Sequence, residues 1–553
     1  MRVLIAVVVA LLIGSMCPIS SAGQDTVVEQ YNTAHAEFHR LCDQKQYDEA
    51  VHLMEELEAN ECAMANEHIH VNVVAHLASG YALVGEKEKA ILYLRELMEC
   101  GCLFPDTLKG SEEFDTLREE PAFKELESEL ERQREFWENP ALNTPYKENI
   151  SEEERIAGLS KFWSEVKYNF AYFDRVPEVD WDALYIEYLP KVRSTKSTKE
   201  YYLVLAELCA RLKDGHTAIE FPKELGASMF SRPPINTRLI EGRVVITEVL
   251  DEKFCGEEVR PGMEIIEVDG VPVHKYAQEG VIPYQPASTK QQLFLRSYGI
   301  FLLAGPRDQH VEVKLRDKDG KVSLCTLPRT GWKTNIDPLD FRVLDGNIAY
   351  TSPIHFMSNT IAELFDSVFP TIETTDALII DLRRNGGGND NVGYHILGCL
   401  TDKPFKTHQS KTRKLVSYRR ARGSVNQWQY LGDDPQFQPN GSKLYTRPVV
   451  VLTSAHTGSA AEGFCVAFDT MKRGVMVGEP TLGSTGQPLK VGLPGGGKAW
   501  ICTCRSTYPD GKEFVGTGIS PHILVRPTVE DVQAGRDTVL EAALKYLKKQ
   551  ISE

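Results

Sequence analysis

The chain has 553 residues, of which 42% are hydrophobic and 25% charged, and its formal net charge is −16. That length calls for about three or four domains, and the composition is that of a globular protein with packed cores. The acidic balance argues against nucleic acid or an anionic membrane surface as a partner.

Met1-Arg2, the apolar run 3–13 and the small residues Ser20-Ser21-Ala22 read as a secretory signal peptide over residues 1–22. The run is too short to span a bilayer, and no other stretch of about 18 apolar residues follows. The expectation is an exported protein, periplasmic or extracellular, with no stable membrane span. Gly14-Ser15-Met16 is a poor lead-in to a lipidated Cys17, so a lipoprotein is not expected. The twelve cysteines are scattered and fall to eleven once Cys17 is removed, an odd number that cannot pair completely. Cys100-x-Cys102 and Cys502-x-Cys504 are too closely spaced for zinc, while Cys209 and Cys465 sit at apolar positions of helical patterns. No metal is expected.

Residues 23–140 read as helical. The segments 46–57 (QYDEAVHLMEEL) and 86–97 (EKEKAILYLREL) resemble each other at an offset of 40 residues. The pair resembles a tetratricopeptide unit, whose implied role is to offer a groove to a protein partner. A plain helical domain is the alternative. The stretch from Pro140 to Pro145 reads as a linker. Residues 145–224 read as a small helical unit: Ser151 and Glu154 have capping-box spacing, and Ile156, Leu159, Trp163, Val166 and Phe170 share a face. Two further helices, 181–188 and 201–212, precede Lys213-Asp214-Gly215-His216-Thr217, where Gly215 is expected to end the helix.

From 225 to 335 the pattern changes to short strands. Pro261-Gly262, a strand and the Asp269-Gly270 hairpin turn into another strand at 271–273 are followed by the alternating Val311-Glu312-Val313-Lys314-Leu315. This arrangement resembles a PDZ domain, which would bind an extended peptide end by adding it to a sheet edge. From 336 to 553 strands alternate with helices, which implies an α/β core with a partly parallel sheet. The buried strand 376–382 leads into Gly386-Gly387-Gly388, and the strand 449–452 leads to Ser459, at the start of a helix. Both sites fall at carboxyl ends of strands, where α/β folds place their active sites. A serine there ordinarily caps its helix. As a nucleophile it would need a base and backbone N–H groups for an oxyanion, which a glycine run can bring close. A phosphate loop is excluded, because no G-x-x-x-x-G-K-[ST] occurs.

Four motifs in order, 381–388 (DLRRNGGG), 457–462 (TGSAAE), 478–486 (GEPTLGSTG) and 516–521 (GTGISP), make residues 150–550 similar to the C-terminal processing (tail-specific) protease family, in its tricorn-like branch. The resemblance implies a multidomain α/β protein with a crotonase-like ββα protease core that needs no cofactor. It implies Ser459 as nucleophile, with Gly387 and Ala460 as the oxyanion hole. Ser484 stands where many members carry the Lys of a Ser–Lys dyad, and Lys490 lies on a strand outside the motif. His216 matches the upstream base of the tricorn-like branch and has the pKa range for it. The orienting group stays open among Glu513, Asp214 and none, with Ser484 as a support, because Val515 falls where that branch has Glu. His522 replaces a usual Asp. The implied function is an exported serine endopeptidase acting on polypeptides, whose C-termini would engage the PDZ-like domain. The alternatives are a weakly active or inactive binding protein, and an esterase with His522 as base.

Overall fold

A computed structural model describes residues 21–255, 258–330, 337–424, 427–431, 436–441 and 443–552. The signal-peptide reading and Cys17 fall almost wholly outside the described residues, as does the boundary expected at 335. Two compact units emerge, one from the described part of Met1–Pro140 with Lys414–Asp433, the other from Ala141–Arg413 with Asp434–Glu553.

The first unit is helical. Its main elements are α1 (Ser21–Asp43), α2 (Tyr47–Glu58), α3 (Glu67–Val84), α4 (Lys87–Glu99) and α5 (Pro121–Trp137). The two similar segments become α2 and α4. Ala50, Met54 and Leu57 on one, and Ala90, Leu94 and Leu97 on the other, are buried at helical spacing against α3. The middle helix carries apolar residues almost all round, as a helix covered on several sides must. Gly85, at φ 94°, turns α3 into α4.

The second unit opens with α6 (Glu152–Asn169), α7 (Trp181–Ser194) and α8 (Thr198–Ala210). Ser151 and Glu154 form the reciprocal capping box. The chain leaves α8 through Lys213, at φ 48°, rather than at Gly215. Gly215 is needed for room instead, since a Cβ there would lie 1.9 Å from Gln292 Nε2. The strand β1 (Ala218–Glu220) follows.

A small β domain comes next, built from β2 (Ile235–Ile240), β3 (Arg243–Val249), β4 (Glu264–Val268), β5 (His310–Arg316) and β6 (Val322–Pro328) in that spatial order, all antiparallel. Asp269 and Gly270, at φ 48° and 75°, make the two-residue turn that puts Val268 opposite Val271. The strand expected after it lasts only Val271–Pro272 before the chain enters the helix Val273–Gly280. Val273 and Ala277 are buried on one face of that helix, and helical spacing serves this better than alternation.

The core sheet comprises β7 (Leu339–Leu344), β8 (Ile348–Pro353), β9 (Ala377–Asp381), β10 (Val449–Thr453), β11 (Val475–Gly478) and, beyond the antiparallel β12 (Pro488–Gly492) and β13 (Lys498–Cys502), β14 (Ile523–Leu524). Its order is β14-β11-β10-β9-β8-β7, parallel except for the β7–β8 edge. Strands β8, β9 and β10 are buried at every residue, which explains the apolar runs 377–380 of β9 and 449–452 of β10. Ile379, Val450 and Leu452 face Val539, Ala543 and Leu547 of a C-terminal helix, Thr538–Ser552. Leu378, Ile380, Val449 and Val451 face the opposite layer, with α9 (Thr360–Ile372), α10 (Asp390–Gly398) and α11 (Ala460–Thr470). Phe464 of α11 is fully buried there and stacks on Phe356 and Phe468, with ring centroids 6.0 and 6.3 Å away.

Phe464→Ala is expected to lower stability by about 3–5 kcal/mol through loss of contacts and a residual cavity. A urea midpoint unchanged from wild type would show that this layer does not hold the core.

Candidate active site

Strands β9 and β10 are neighbours, so the loops at their carboxyl ends meet. Thr457 Oγ1 donates to the Leu382 carbonyl at 2.8 Å, and Gly458 N donates to the Asn385 carbonyl at 3.2 Å. This stitches the glycine loop to the start of α11. Ser459 stands at that start with φ 52° and ψ −125°, a conformation costly for a residue with a Cβ. Its N–H donates to the Ser484 carbonyl at 3.1 Å, and its carbonyl accepts from Glu462 N and Gly463 N. The backbone is thus held from both sides. The Ser459 side chain makes no capping bond to its helix. Its Oγ lies 3.0 Å from Nε2 of His216 instead.

The other ring nitrogen of His216, Nδ1, is 2.8 Å from Ser484 Oγ. With Nδ1 protonated and donating to Ser484, Nε2 presents a lone pair to the Ser459 hydroxyl and can accept its proton. Asp214 is buried two residues upstream. It accepts from Thr217 Oγ1 at 2.7 Å and from Ser288 Oγ at 3.2 Å, and Ser288 Oγ also accepts from Gly215 N. Asp214 therefore fixes the loop that carries His216 and acts on the ring through its charge. Burial lowers the His216 pKa below the ordinary 6.5, against the opposing pull of Asp214. Burial in turn raises the Asp214 carboxyl, against the pull of His216 and the hydrogen bonds of Thr217 and Ser288.

The Gly387 N–H is committed to Asn385 Oδ1 at 2.9 Å, while Asn385 Nδ2 donates to the Pro353 carbonyl at 3.0 Å. A buried amide that donates to a side chain is not aimed at an oxyanion. What Gly387 supplies is space. At φ 102°, a Cβ there would lie 2.7 Å from Ser459 Cβ and 2.8 Å from Ala460 N. The Ala460 amide is the first of its helix, where no intrahelical acceptor exists.

Glu513 hydrogen-bonds Arg505 and lies 4.0 Å from Arg175, while Ser484 is the group that meets His216 Nδ1. The His522 ring accepts from Met476 N at 3.0 Å and lies 3.3 Å from Asp469, which removes it from the esterase arrangement. Lys490 Nζ sits 4.5 Å from the centre of the Trp500 ring. Glu462 closes the motif 457–462 and has a structural role there. Its carboxylate is fully buried and accepts from Thr481 Oγ1 at 2.5 Å, Gly483 N at 2.7 Å and Ser484 N at 2.9 Å. Burial raises it to about 7 despite these bonds. It clasps the loop that delivers Ser484. Its i+3 spacing from Ser459 was the available signal, as Asn385 beside the glycines was for theirs.

Residues 347–525 match the model of Peptidase family S41, and residues 151–210 match that of the Tricorn protease C1 domain. The chain is 27% identical over 243 residues to a chloroplastic C-terminal processing peptidase of Tetradesmus obliquus, covering 41% of this chain and 48% of that one. Thus the chain spans about half the length of that relative. It is 22% identical over 424 residues to a carboxyl-terminal-processing protease of Synechocystis sp., covering 73% and 89%. Among solved structures, mature CPAF shares the fold at a TM-score of 0.57 and 16% identity, over 72% of this chain and 98% of that one.

Two measurements test this geometry. Proton NMR is expected to give His216 an apparent pKa below 6.5, and a lower one in Asp214→Asn, where the charge favouring imidazolium is gone. A value above 6.5 in wild type would contradict the assignment of burial as the dominant effect. Glu462→Gln replaces one acceptor of the clasp with a donor facing another donor. It should reduce kcat up to about 10²-fold with KM little changed; an unaltered kcat would show that the clasp does not position Ser484.

Proposed function

We propose, from the premise that the chain belongs to the C-terminal processing protease family, a family of serine-type peptidases, that it is a serine endopeptidase with a Ser–His pair in place of a Ser–Lys dyad. The observation that carries this is the 3.0 Å contact of His216 Nε2 with Ser459 Oγ. Ser459 attacks the scissile carbonyl and His216 takes its proton. The tetrahedral oxyanion is held by the Ala460 N–H, in the space that Gly387 leaves open. His216 then returns the proton to the leaving amine, and water releases the acyl group by the same route. Ser484 holds the imidazole in the required tautomer, and Asp214 favours the imidazolium that forms. No metal or organic cofactor enters these steps.

The substrates are polypeptides. We read residues 225–335 as a PDZ-like domain that takes their C-termini along a sheet edge; the antiparallel order of β2 to β6 supports this. We read residues 23–140 as a tetratricopeptide-like region that takes a protein partner, residues 145–224 as a helical part of the protease, and residues 336–553 as its ββα core. Export to a periplasmic or extracellular space rests on the pattern of residues 1–22. Among the described residues no helix is long and apolar enough to cross a membrane.

Steady-state hydrolysis of an unfolded protein substrate tests the reading. Ser459→Ala and His216→Ala should each lose at least about 10³-fold in kcat/KM, and His522→Ala should retain most activity. Equal, negligible cleavage by wild type and Ser459→Ala would favour a binding protein with a protease-like core.

A further inference from the structure

The helical unit holds a cluster that the proteolytic chemistry does not use. His35 and His39 lie one turn apart on α1, and His76 faces them from α3. One ring nitrogen from each lies within 4.8 Å of the others. The ring centroids of His35 and His39 are 4.6 Å apart, those of His35 and His76 are 4.9 Å apart, and those of His39 and His76 are 5.4 Å apart. His76 is 1% exposed, whereas His35 and His39 are half-buried and leave the cluster within reach of solvent.

The tautomer of His76 is fixed. Its Nδ1 faces the Asn72 carbonyl, which can only accept, so Nδ1 carries the proton and Nε2 carries a lone pair. That lone pair is directed at His35 Nδ1, 3.0 Å away. A ring nitrogen bonded to a backbone carbonyl while the other points into a cluster of imidazoles is the arrangement that orients a metal-ligating histidine. Two nitrogens on a tetrahedral zinc ion stand about 3.4 Å apart. The His35–His76 pair is already near that separation, and a ring nitrogen of His39 lies within 4.8 Å of both. The Tyr31 hydroxyl, 3.5 Å from His35 Nδ1, lies beside the cluster.

We propose that His35, His39 and His76 form a three-histidine site for a divalent transition-metal ion of the zinc class, which clamps α1 to α3. The donor set decides the class. Three imidazoles with no carboxylate select Zn²⁺, Co²⁺, Ni²⁺ or Cu²⁺ over Ca²⁺ or Mg²⁺. On binding, His35 moves its proton from Nδ1 to Nε2, so that both facing nitrogens can donate lone pairs. A fourth position is left for water or the Tyr31 hydroxyl. A second group, Asp366, His395 and Cys399, is a weaker candidate because Lys443 Nζ lies 2.6 Å from Asp366 and already neutralises it.

The test uses the full-length protein, stripped with chelator and titrated with Zn²⁺, with Co²⁺ as a spectroscopic probe. One equivalent should bind in wild type, with the visible bands of four-coordinate Co²⁺, and hydrogen exchange in α1 should slow. His39→Gln and His35→Gln, both at half-exposed positions, should each weaken binding at least tenfold while keeping the helical circular dichroism of wild type. His395→Gln should bind as wild type does. The proposal is overturned if wild type takes up no stoichiometric metal, if the α1 variants bind as well as wild type, or if binding is lost in His395→Gln instead.

Discussion

The structure depends on one hydrogen bond between two parts of the chain that are 243 residues apart, His216 Nε2 to Ser459 Oγ. Neither residue is placed by its own element alone. Ser459 is forced to φ 52° by bonds on both sides of its backbone, and His216 follows a loop that a buried carboxylate ties down. Such strain persists only where the surroundings over-determine it. Here the surroundings are a buried parallel sheet below and the clasp of Glu462 on residues 481–484 beside it.

The electrostatics suit a neutral base. A histidine whose pKa is held down by burial is unprotonated at neutral pH and ready to accept a proton. The buried Asp214 nearby then limits the cost of charging it. The group that touches Nδ1 is a hydroxyl and not a carboxylate, so the proposed mechanism divides orientation and charge stabilisation between two residues, Ser484 and Asp214. A single carboxylate could do both, but Ser484 sits on the loop clasped by Glu462, and a second buried anion there would repel the first.

Much of the scaffold was legible in sequence because it rests on local rules. The continuous apolar runs of β9 and β10, the capping box at Ser151 and the Asp269-Gly270 turn each carry their cause within a few residues. What local reading missed depends on partners far along the chain. Lys213 takes the left-handed position after the helix, and Gly215 serves instead to clear Gln292, 77 positions later in the sequence. Gly387 has the backbone freedom expected of it, yet its N–H donates to Asn385 Oδ1, a partner that no local pattern announces. The histidines of α1 and α3 look unremarkable in sequence, since 41 residues separate His35 from His76, and only helix packing brings them together.

The central claim is that the Ser459 hydroxyl is activated by the His216 imidazole. The most direct measurement is the rate of covalent labelling by a fluorophosphonate as a function of pH, with the adduct mapped by mass spectrometry. The account predicts modification at Ser459, with a rate that rises through a pKa below 6.5 and collapses in His216→Ala. Labelling at another residue, or an undiminished rate at Ser459 without His216, would contradict it.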